Sequence, residues 1–166
     1  MLHGWIILDK PVGLGSTQAV SAVKRLLREA GEPRTKVGHG GTLDPLASGV
    51  LPIALGEATK LAGRILDGTK DYEFTIQFGT ETDTLDAGGS VVATSDCQPG
   101  IGPLEKVMDE QFHGEITQYP PTYSALKIGG KRASDLARSG QTVEMKPRKV
   151  TIYDWRHLGE GIVGPS

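Results

Sequence analysis

An α+β fold, with a mixed, mainly antiparallel sheet and flanking helices, is the class that this sequence predicts. Short apolar or alternating runs typical of strands are interspersed with longer runs whose apolar residues follow helical spacing. Several predicted strands are joined by connections too short for a parallel crossover, so antiparallel pairing should dominate. With 166 residues, one compact domain is the starting expectation.

The first third of the chain predicts strands and helices around one glycine-rich loop. Ser16 or Thr17 is the expected cap of the first helix, and the loop shows no period. The elements are a strand at Gly4–Asp9, a helix up to Ala30, a loop at 36–49, a strand at Val50–Leu55 and a helix at Glu57–Leu66. In the last helix, Leu61, Ile65 and Leu66 are expected to face inward.

The rest of the chain predicts further strands, two helices and a hairpin. The segment Lys70–Phe78 alternates cleanly, which predicts a strand with Tyr72, Phe74, Ile76 and Phe78 on one face. The other elements are a strand at Val91–Thr94, a helix at Pro103–Phe112, an extended segment at Glu115–Gln118, a hairpin at Ser124–Lys131 turning at Gly129-Gly130, a helix at Ala133–Arg138 and a strand at Lys149–Leu158.

Composition argues against several classes of protein. No apolar run approaches the ~18 residues of a membrane span, and the start lacks the features of a signal peptide. Cys97 is the single cysteine, so no internal disulfide is available, and a cytoplasmic location is expected. The four histidines are scattered without the spacing of metal ligands, which predicts no metal site.

Charge is segregated along the chain although the net charge is only −2. Residues 1–66 carry 8 basic and 5 acidic residues, residues 67–115 carry 2 and 11, and residues 116–166 carry 8 and 4. Basic ends around an acidic middle favour a protein that offers one positive face to phosphates, although solvated surface charge gives similar patterns.

The densest chemical signal is GHGGTLDPLASG at residues 38–49. A P-loop needs Lys and Ser or Thr after its glycines, and neither this loop nor Gly13–Thr17 has that pattern, which disfavours ATP or GTP. Asp44 stands before a proline in a flexible loop, where a carboxylate can act as a nucleophile or general base. The alternative is an Asx-type turn in which Asp44 caps a following helix.

Residues 37–60, VGHGGTLDPLASGVLPIALGEATK, resemble the signature of the TruB family of pseudouridine synthases. The resemblance extends to GWIILDKPVG near the start, to residues 70–89, to FHGEITQYPPTYSALKIGGKR at 112–132 and to Leu-Ala-Arg at 136–138. It therefore covers nearly the whole chain in family order.

The resemblance implies a role for three residues. Asp44 matches the catalytic aspartate, which would attack the ribose C1′ or the uracil ring of the target uridine. Tyr72 matches the tyrosine that stacks on the flipped base and assists proton removal from C5, whereas a tyrosine on a strand is otherwise usually core. His39 matches the histidine that enters the space vacated by the base, and its alternative is a turn histidine bonded to local backbone.

The implied activity is isomerisation of uridine 55 in the T loop of tRNA to pseudouridine by base flipping. The reaction is redox-neutral and needs no cofactor or nucleotide. Its partner is the T-arm stem-loop of tRNA, and no membrane is involved. The candidate phosphate contacts are Lys10, Lys36, Lys127, Lys131 and Arg132.

The chain departs from the family pattern in two places. Ser134 stands where the family has a tyrosine. Family members also continue through a segment that supplies an arginine partner for the aspartate, and then an RNA-binding domain, so residues 1–166 resemble a truncated, partial catalytic domain. We therefore expect impaired activity and a dimer through the uncovered sheet edge. The alternatives are a noncatalytic tRNA-binding or chaperone fragment and, less favoured, a nucleotide-binding regulatory domain.

Overall fold

The computed structural model describes residues 2–120, 127–129, 131, 132, 139 and 145–159. The chain divides into two compact units, residues 1–73 and 74–166. The first unit contains β1 (Gly4–Lys10), α1 (Ser16–Glu29), β2 (Val37–His39), β3 (Gly49–Leu55), a 3-10 helix (Gly56–Leu61) and α2 (Ala62–Leu66). The second contains β4 (Thr80–Thr82), β5 (Val91–Thr94), α3 (Ile101–Gln111), β6 (Gly114–Gln118), β7 (Lys127–Ile128), β8 (Lys131–Arg132) and β9 (Arg148–Ile152).

A three-stranded antiparallel sheet, in the order β1-β3-β2, organises the first unit. The central strand β3 pairs with β1 along its full length, with Leu8 opposite Leu51 and Lys10 opposite Gly49. Successive side chains of a strand point to opposite faces of the sheet, and paired residues share a face. Leu8, Lys10, Leu51 and Ile53 therefore lie on the same face of this sheet. That face is the buried one, because Lys10, Leu51 and Ile53 are fully buried.

Helix α1 covers the buried face of this sheet. Ala19 and Val20 join Leu51, Ile53 and Leu55 in one buried cluster, and the helix contributes further apolar side chains at helical spacing, as its sequence predicted. The helix begins at Ser16 with Gly15 as its N-cap residue, and the Gly15 amide donates to Oε1 of Gln18. The predicted cap was therefore wrong, because the Ser16 hydroxyl bonds elsewhere.

Three sequence predictions for residues 36–78 need correction. The glycine-rich loop contains a short strand, β2, that adds an edge to the sheet. The predicted helix at 57–66 starts as a 3-10 helix, and its residues Leu61, Ile65 and Leu66 are exposed. Residues 70–77 form no strand, although their side chains alternate. Alternation defines two faces, but a strand also needs a backbone partner, and none pairs with this segment among the described residues.

In its described residues, the second unit is built from small antiparallel pairs and one helix. Strand β4 pairs with β5, β6 with β9 and β7 with β8. The inner part of the predicted hairpin is confirmed, with Lys127 opposite Arg132 and a turn at Gly129, whereas residues 124–126 and 130 lie outside the described residues. Strand β9 ends at Ile152, earlier than predicted. The predicted helix at 133–138 lies outside the described residues.

Every strand pair that the structure describes is antiparallel. Together with the helices, this pairing confirms the predicted α+β class. The described helices are all too short, or not apolar enough, to cross a lipid bilayer.

Candidate functional site

The loop that joins β2 to β3 carries the candidate catalytic residue Asp44. Its centre is a tight turn, in which the Ala47 amide donates to the carbonyl of Asp44 at 3.0 Å and Pro45 occupies the second position. Proline fixes its own φ at the value that this position needs. The turn leads into β3 through Gly49 and is not followed by a helix. The alternative in which Asp44 caps a helix is thus contradicted.

The loop that contains this turn is attached to the end of β1, to the start of α1 and to the segment between them by three sets of hydrogen bonds. The Gly13 amide donates to the carbonyl of Pro45 at 2.7 Å. Ser16 and Lys10 supply the other two sets. Ser16 bonds Leu43, which precedes Asp44 in the sequence, and Lys10 bonds Ala47, which follows it. A loop fixed on both sides presents the residue between in a restricted orientation.

Ser16 joins the start of α1 to the residue that precedes Asp44. Its hydroxyl donates to the carbonyl of Leu43 and accepts from the Leu43 amide, both at 2.9 Å. Ser16 is 5% exposed, so these bonds are shielded from water. The helix terminus therefore fixes the backbone of Leu43 through both of its polar groups.

Lys10 is buried at the end of β1, and its ammonium group donates to three backbone carbonyls. The acceptors are Pro11 at 3.0 Å, Leu14 at 2.7 Å and Ala47 at 2.5 Å. An ammonium has three N–H donors, so all of them are used. The structure contradicts the predicted phosphate contact, because Lys10 has no exposed surface and instead holds the loop.

Asp44 itself is exposed. Among the described residues, its carboxylate makes no hydrogen bond or ion pair. The carboxylate is therefore available to a bound molecule, while its backbone is held by the contacts of its neighbours. Such a group can act as a nucleophile or as a general base.

His39 is the last residue of β2 and is paired with Ile53. Its Nδ1 atom is buried and has no hydrogen-bond partner in the described part of the chain. Buried polar atoms are normally bonded, since leaving one unpaired costs free energy. The alternative of a turn histidine that bonds local backbone is not supported at Nδ1.

For the other predicted site residues, the structure establishes exposure or strand position. Lys36 is exposed immediately before β2. Tyr72 is 73% exposed in a segment without regular structure. Lys127 opposes Arg132, and Lys131 opposes Ile128, in the hairpin of the second unit. Within the first unit, the structure thus places Lys10 against the loop that carries Asp44, and β2, which follows Lys36 and ends at His39, leads into the same loop.

One carboxylate near this part of the chain has a perturbed acidity. A hydrogen bond from Lys60 and its charge lower the pKa of Glu57, with smaller contributions from His3 and Lys36. The Glu57 amide also donates to Nδ1 of His3 at 3.0 Å. Glu57 is exposed, so this pairing is a surface feature and lies outside the loop that holds Asp44.

The positioning roles of Ser16 and Lys10 could not be identified from their local motifs. Ser16 matched a helix cap, and Lys10 matched a phosphate contact. One signal was present for Lys10: it has the same strand parity as Leu8, and therefore faces the core. A lysine at a core-facing position predicts a buried ammonium with backbone acceptors.

Comparison with known proteins supports the family resemblance. Residues 24–160 match the model of the TruB family pseudouridylate synthase N-terminal domain. The chain is 65% identical to tRNA pseudouridine synthase B of Zymomonas mobilis over 153 residues, which is 92% of this chain and 50% of that protein. The protein of the same name from Novosphingobium aromaticivorans is 61% identical, over 92% of this chain and 50% of the relative.

A solved structure shares the fold. A chain of the crystal structure of a Cbf5–Nop10–Gar1 complex matches with a TM-score of 0.52 and 28% identity, over 91% of this chain and 34% of that one. The chain spans about half the length of the curated relatives it matches. Since the family model covers most of its residues, the chain belongs to the TruB family of pseudouridylate synthases.

Proposed function

We propose that this chain carries the aspartate-bearing part of a tRNA pseudouridine synthase, with uridine 55 of the T loop as its target and Asp44 as its catalytic carboxylate. The observation that supports the proposal most is an exposed carboxylate, without a partner among the described residues, on a loop fixed on both sides by Ser16 and Lys10. Two relatives named tRNA pseudouridine synthase B point to the same chemistry.

The reaction requires little beyond a placed carboxylate and an extruded base. The N1–C1′ bond of uridine breaks, the C5–C1′ bond forms, C5 loses its proton and N1 gains one. The base must first leave its stack, which costs a few kcal/mol. Tyr72, whose ring is largely exposed, is proposed to offer a stacking surface and a hydroxyl near C5, which would offset part of that cost.

The RNA is proposed to be held by basic residues on both units. Lys36 is exposed beside β2, and the hairpin of β7 and β8 carries Lys127, Lys131 and Arg132. Phosphate contacts fix the register of an RNA without reading its sequence. His39, whose Nδ1 lacks a protein partner among the described residues, is proposed to enter the space that the flipped base leaves.

A second function, noncatalytic binding of tRNA, is favoured by one observation. No arginine or lysine forms an ion pair with Asp44 in the part of the chain that the structure describes. Asp44 is exposed in the free chain, but once bound RNA excludes water from it, an ionised carboxylate without a cationic partner costs several kcal/mol. At about 1.4 kcal/mol per tenfold change in rate, a loss of ~4 kcal/mol would slow the reaction about a thousandfold.

The two functions differ in turnover. Tritium released from C5-labelled uridine in a T-arm stem-loop should be measured for residues 1–166 and for a chain extended by the sequence that follows in its relatives. We expect rapid release by the extended chain and at least a hundredfold slower release by residues 1–166. RNA binding without release by either chain would support the noncatalytic function and contradict the proposed enzyme.

A dimer is also proposed for residues 1–166. The second unit exposes large apolar side chains in its described part, among them Phe74, Val92, Tyr119 and Tyr153, and exposed apolar surface favours association. Sedimentation analysis over a range of concentrations should show a dimer that dissociates on dilution. A monomer at every concentration would contradict this proposal.

A further inference from the structure

A basic groove of about 730 Å³ lies in the first unit, between the second half of α1 and the segment that enters β2. Four of its lining residues are cationic, and one is acidic. The cations are Lys24, Arg28, Arg34 and Lys36, and the acid is Glu32. All four cations are exposed, so their charged groups can reach a molecule in the groove.

The end of α1 explains how these residues meet. The Gly31 amide donates to the carbonyl of Arg28 and the Glu32 amide to that of Leu27, with Gly31 at φ +72°. This is the Schellman pattern, which ends a helix and reverses the chain direction. Pro33 follows and prevents the helix from continuing. The chain therefore reverses direction after α1, and the segment that carries Arg34 lines the same groove as Arg28 on the helix.

Spacing brings the cations close together within each segment. Lys24 and Arg28 are four residues apart on α1, which makes them neighbours on one helix face. Arg34 and Lys36 are two apart in the irregular segment that enters β2, and both line the groove. Like charges at both spacings repel each other, so nothing in the fold itself is gained by bringing them together.

The positive charge of the groove is not neutralised by the described residues. Arg25, the neighbour of Lys24, pairs with Glu29 at 3.9 Å, and Lys60 pairs with Glu57. None of the four groove cations forms an ion pair in the described part of the chain. A concave surface with unpaired charge of one sign concentrates ligands of the opposite sign.

We propose that this groove binds the phosphodiester backbone of RNA, at a contact separate from the target uridine. The cations are spread over two segments that line a groove of about 730 Å³, which suits an extended polyanion better than a single phosphate. Lys36 stands directly before β2, which ends at His39. The three residues of β2 span about 10 Å, and this length separates Lys36, which lines the groove, from His39 along the strand. The identity of the polyanion as RNA rests on the proposed function.

The test compares two triple variants of the 166-residue chain with equal charge. Lys24→Gln/Arg28→Gln/Arg34→Gln neutralises the groove, and Arg25→Gln/Lys60→Gln/Arg64→Gln removes three cations of the first unit that do not line it. Binding to a T-arm stem-loop and to full-length tRNA is measured by fluorescence anisotropy over a range of salt concentrations. Circular dichroism and thermal unfolding confirm that both variants are folded.

The groove variant should lower the slope of log affinity against log salt by about two to three, because each lost phosphate contact contributes about 0.7 to 0.9. The control variant should change it by less than about one. Glu32→Gln removes the acidic residue and should tighten binding about threefold at low salt. This opposite effect cannot arise from loss of folding.

Three results would overturn the proposal: equal losses in the two triple variants, no RNA binding by the unaltered chain, or binding of inorganic phosphate to the groove as tight as that of RNA. Failure of the proposed function is recognised separately. In that case the extended chain releases no tritium from labelled uridine, while RNA binding still depends on Lys24, Arg28 and Arg34.

Discussion

The ammonium group of Lys10 donates a hydrogen bond to the carbonyl oxygen of Ala47, which lies 37 positions later in the chain, at 2.5 Å. The bond joins the end of β1 to the turn that carries Asp44. The same ammonium binds the carbonyls of Pro11 and Leu14. One buried cation thus connects both segments that surround the candidate site.

Replacing Lys10 by methionine should destabilise the fold. The substitution keeps an apolar stem but leaves three part-buried carbonyls without their donor, and a polar group that stays shielded from water without a partner costs about 1–3 kcal/mol. We expect the free energy of unfolding in urea to fall by about 3 kcal/mol or more. Lys60→Met is the control, since Lys60 is exposed, and it should change stability by less than about 1 kcal/mol. Equal stability of the two variants would show that Lys10 does not hold the loop.

Replacing Ser16 by alanine tests the other attachment. The change removes the partner of both polar groups of Leu43 and should cost about 1–2 kcal/mol in unfolding free energy. Ser21→Ala is matched, because the Ser21 hydroxyl bonds the Thr17 carbonyl on the exposed side of the same helix. That variant should lie within about 0.5 kcal/mol of the parent protein. A Ser16→Ala protein as stable as Ser21→Ala would contradict the attachment.

Two glycines of the first unit should respond to alanine in opposite directions. Gly56 has φ +56°, and a Cβ there would lie 2.3 Å from Nδ1 of His3 and 2.5 Å from the Leu2 carbonyl oxygen. Gly56→Ala should therefore cost about 2 kcal/mol or more. Gly63 lies in α2 with open space around it, so Gly63→Ala should stabilise by about 0.5–1 kcal/mol. Thermal unfolding measures the stability of both variants. A change of the same sign in the two variants would contradict either the clash at Gly56 or the open space at Gly63.

Sequence patterns predicted those elements of the first unit in which the apolar period and the residues at the ends indicate the same element. The strand β1, the helix α1 and the strand β3 each combine an apolar period with a clear end signal, and all three were predicted with small errors at their ends. Asp44 and its loop were identified from residues 37–60 alone. The structure adds that the aspartate is exposed and that its loop is fixed by Ser16 and Lys10.

The remaining errors come from interactions between distant residues. β2 has only three residues, and it is a strand because β3 offers an edge to pair with. Residues 70–77 have the alternation of a strand but no described partner. Ala47, which accepts from Lys10, and Leu43, which is bonded by Ser16, lie 37 and 27 positions away, so no local pattern could identify these two partners. The periodicity of apolar residues predicts which face of an element is apolar, whereas the pairing of a strand depends on which other strand the fold places beside it.

Tyr72 should matter for catalysis and not for folding. Its side chain is 73% exposed, so removing the hydroxyl in Tyr72→Phe should change stability by less than about 0.5 kcal/mol. In the extended chain the same change should lower tritium release by about a hundredfold or more, because proton removal from C5 loses its assisting group. Tyr72→Leu should weaken RNA binding as well, since the stacking surface is lost.

The control for Tyr72 is Tyr153→Phe, which removes a hydroxyl from a tyrosine that is similarly exposed at 68%. Tritium release by that variant should equal that of the parent chain. Normal release by Tyr72→Phe would reduce Tyr72 to a surface residue without a part in the chemistry.

The most direct test concerns the carboxylate of Asp44. Asp44→Asn in the extended chain should abolish tritium release from C5-labelled uridine while RNA affinity stays within about threefold, since the carboxylate acts in the chemical step. Asp9→Asn, which changes another exposed carboxylate of the first unit, should release tritium at the parental rate. Substantial release by Asp44→Asn and by Asp44→Ala would contradict the assignment of Asp44 as the catalytic carboxylate.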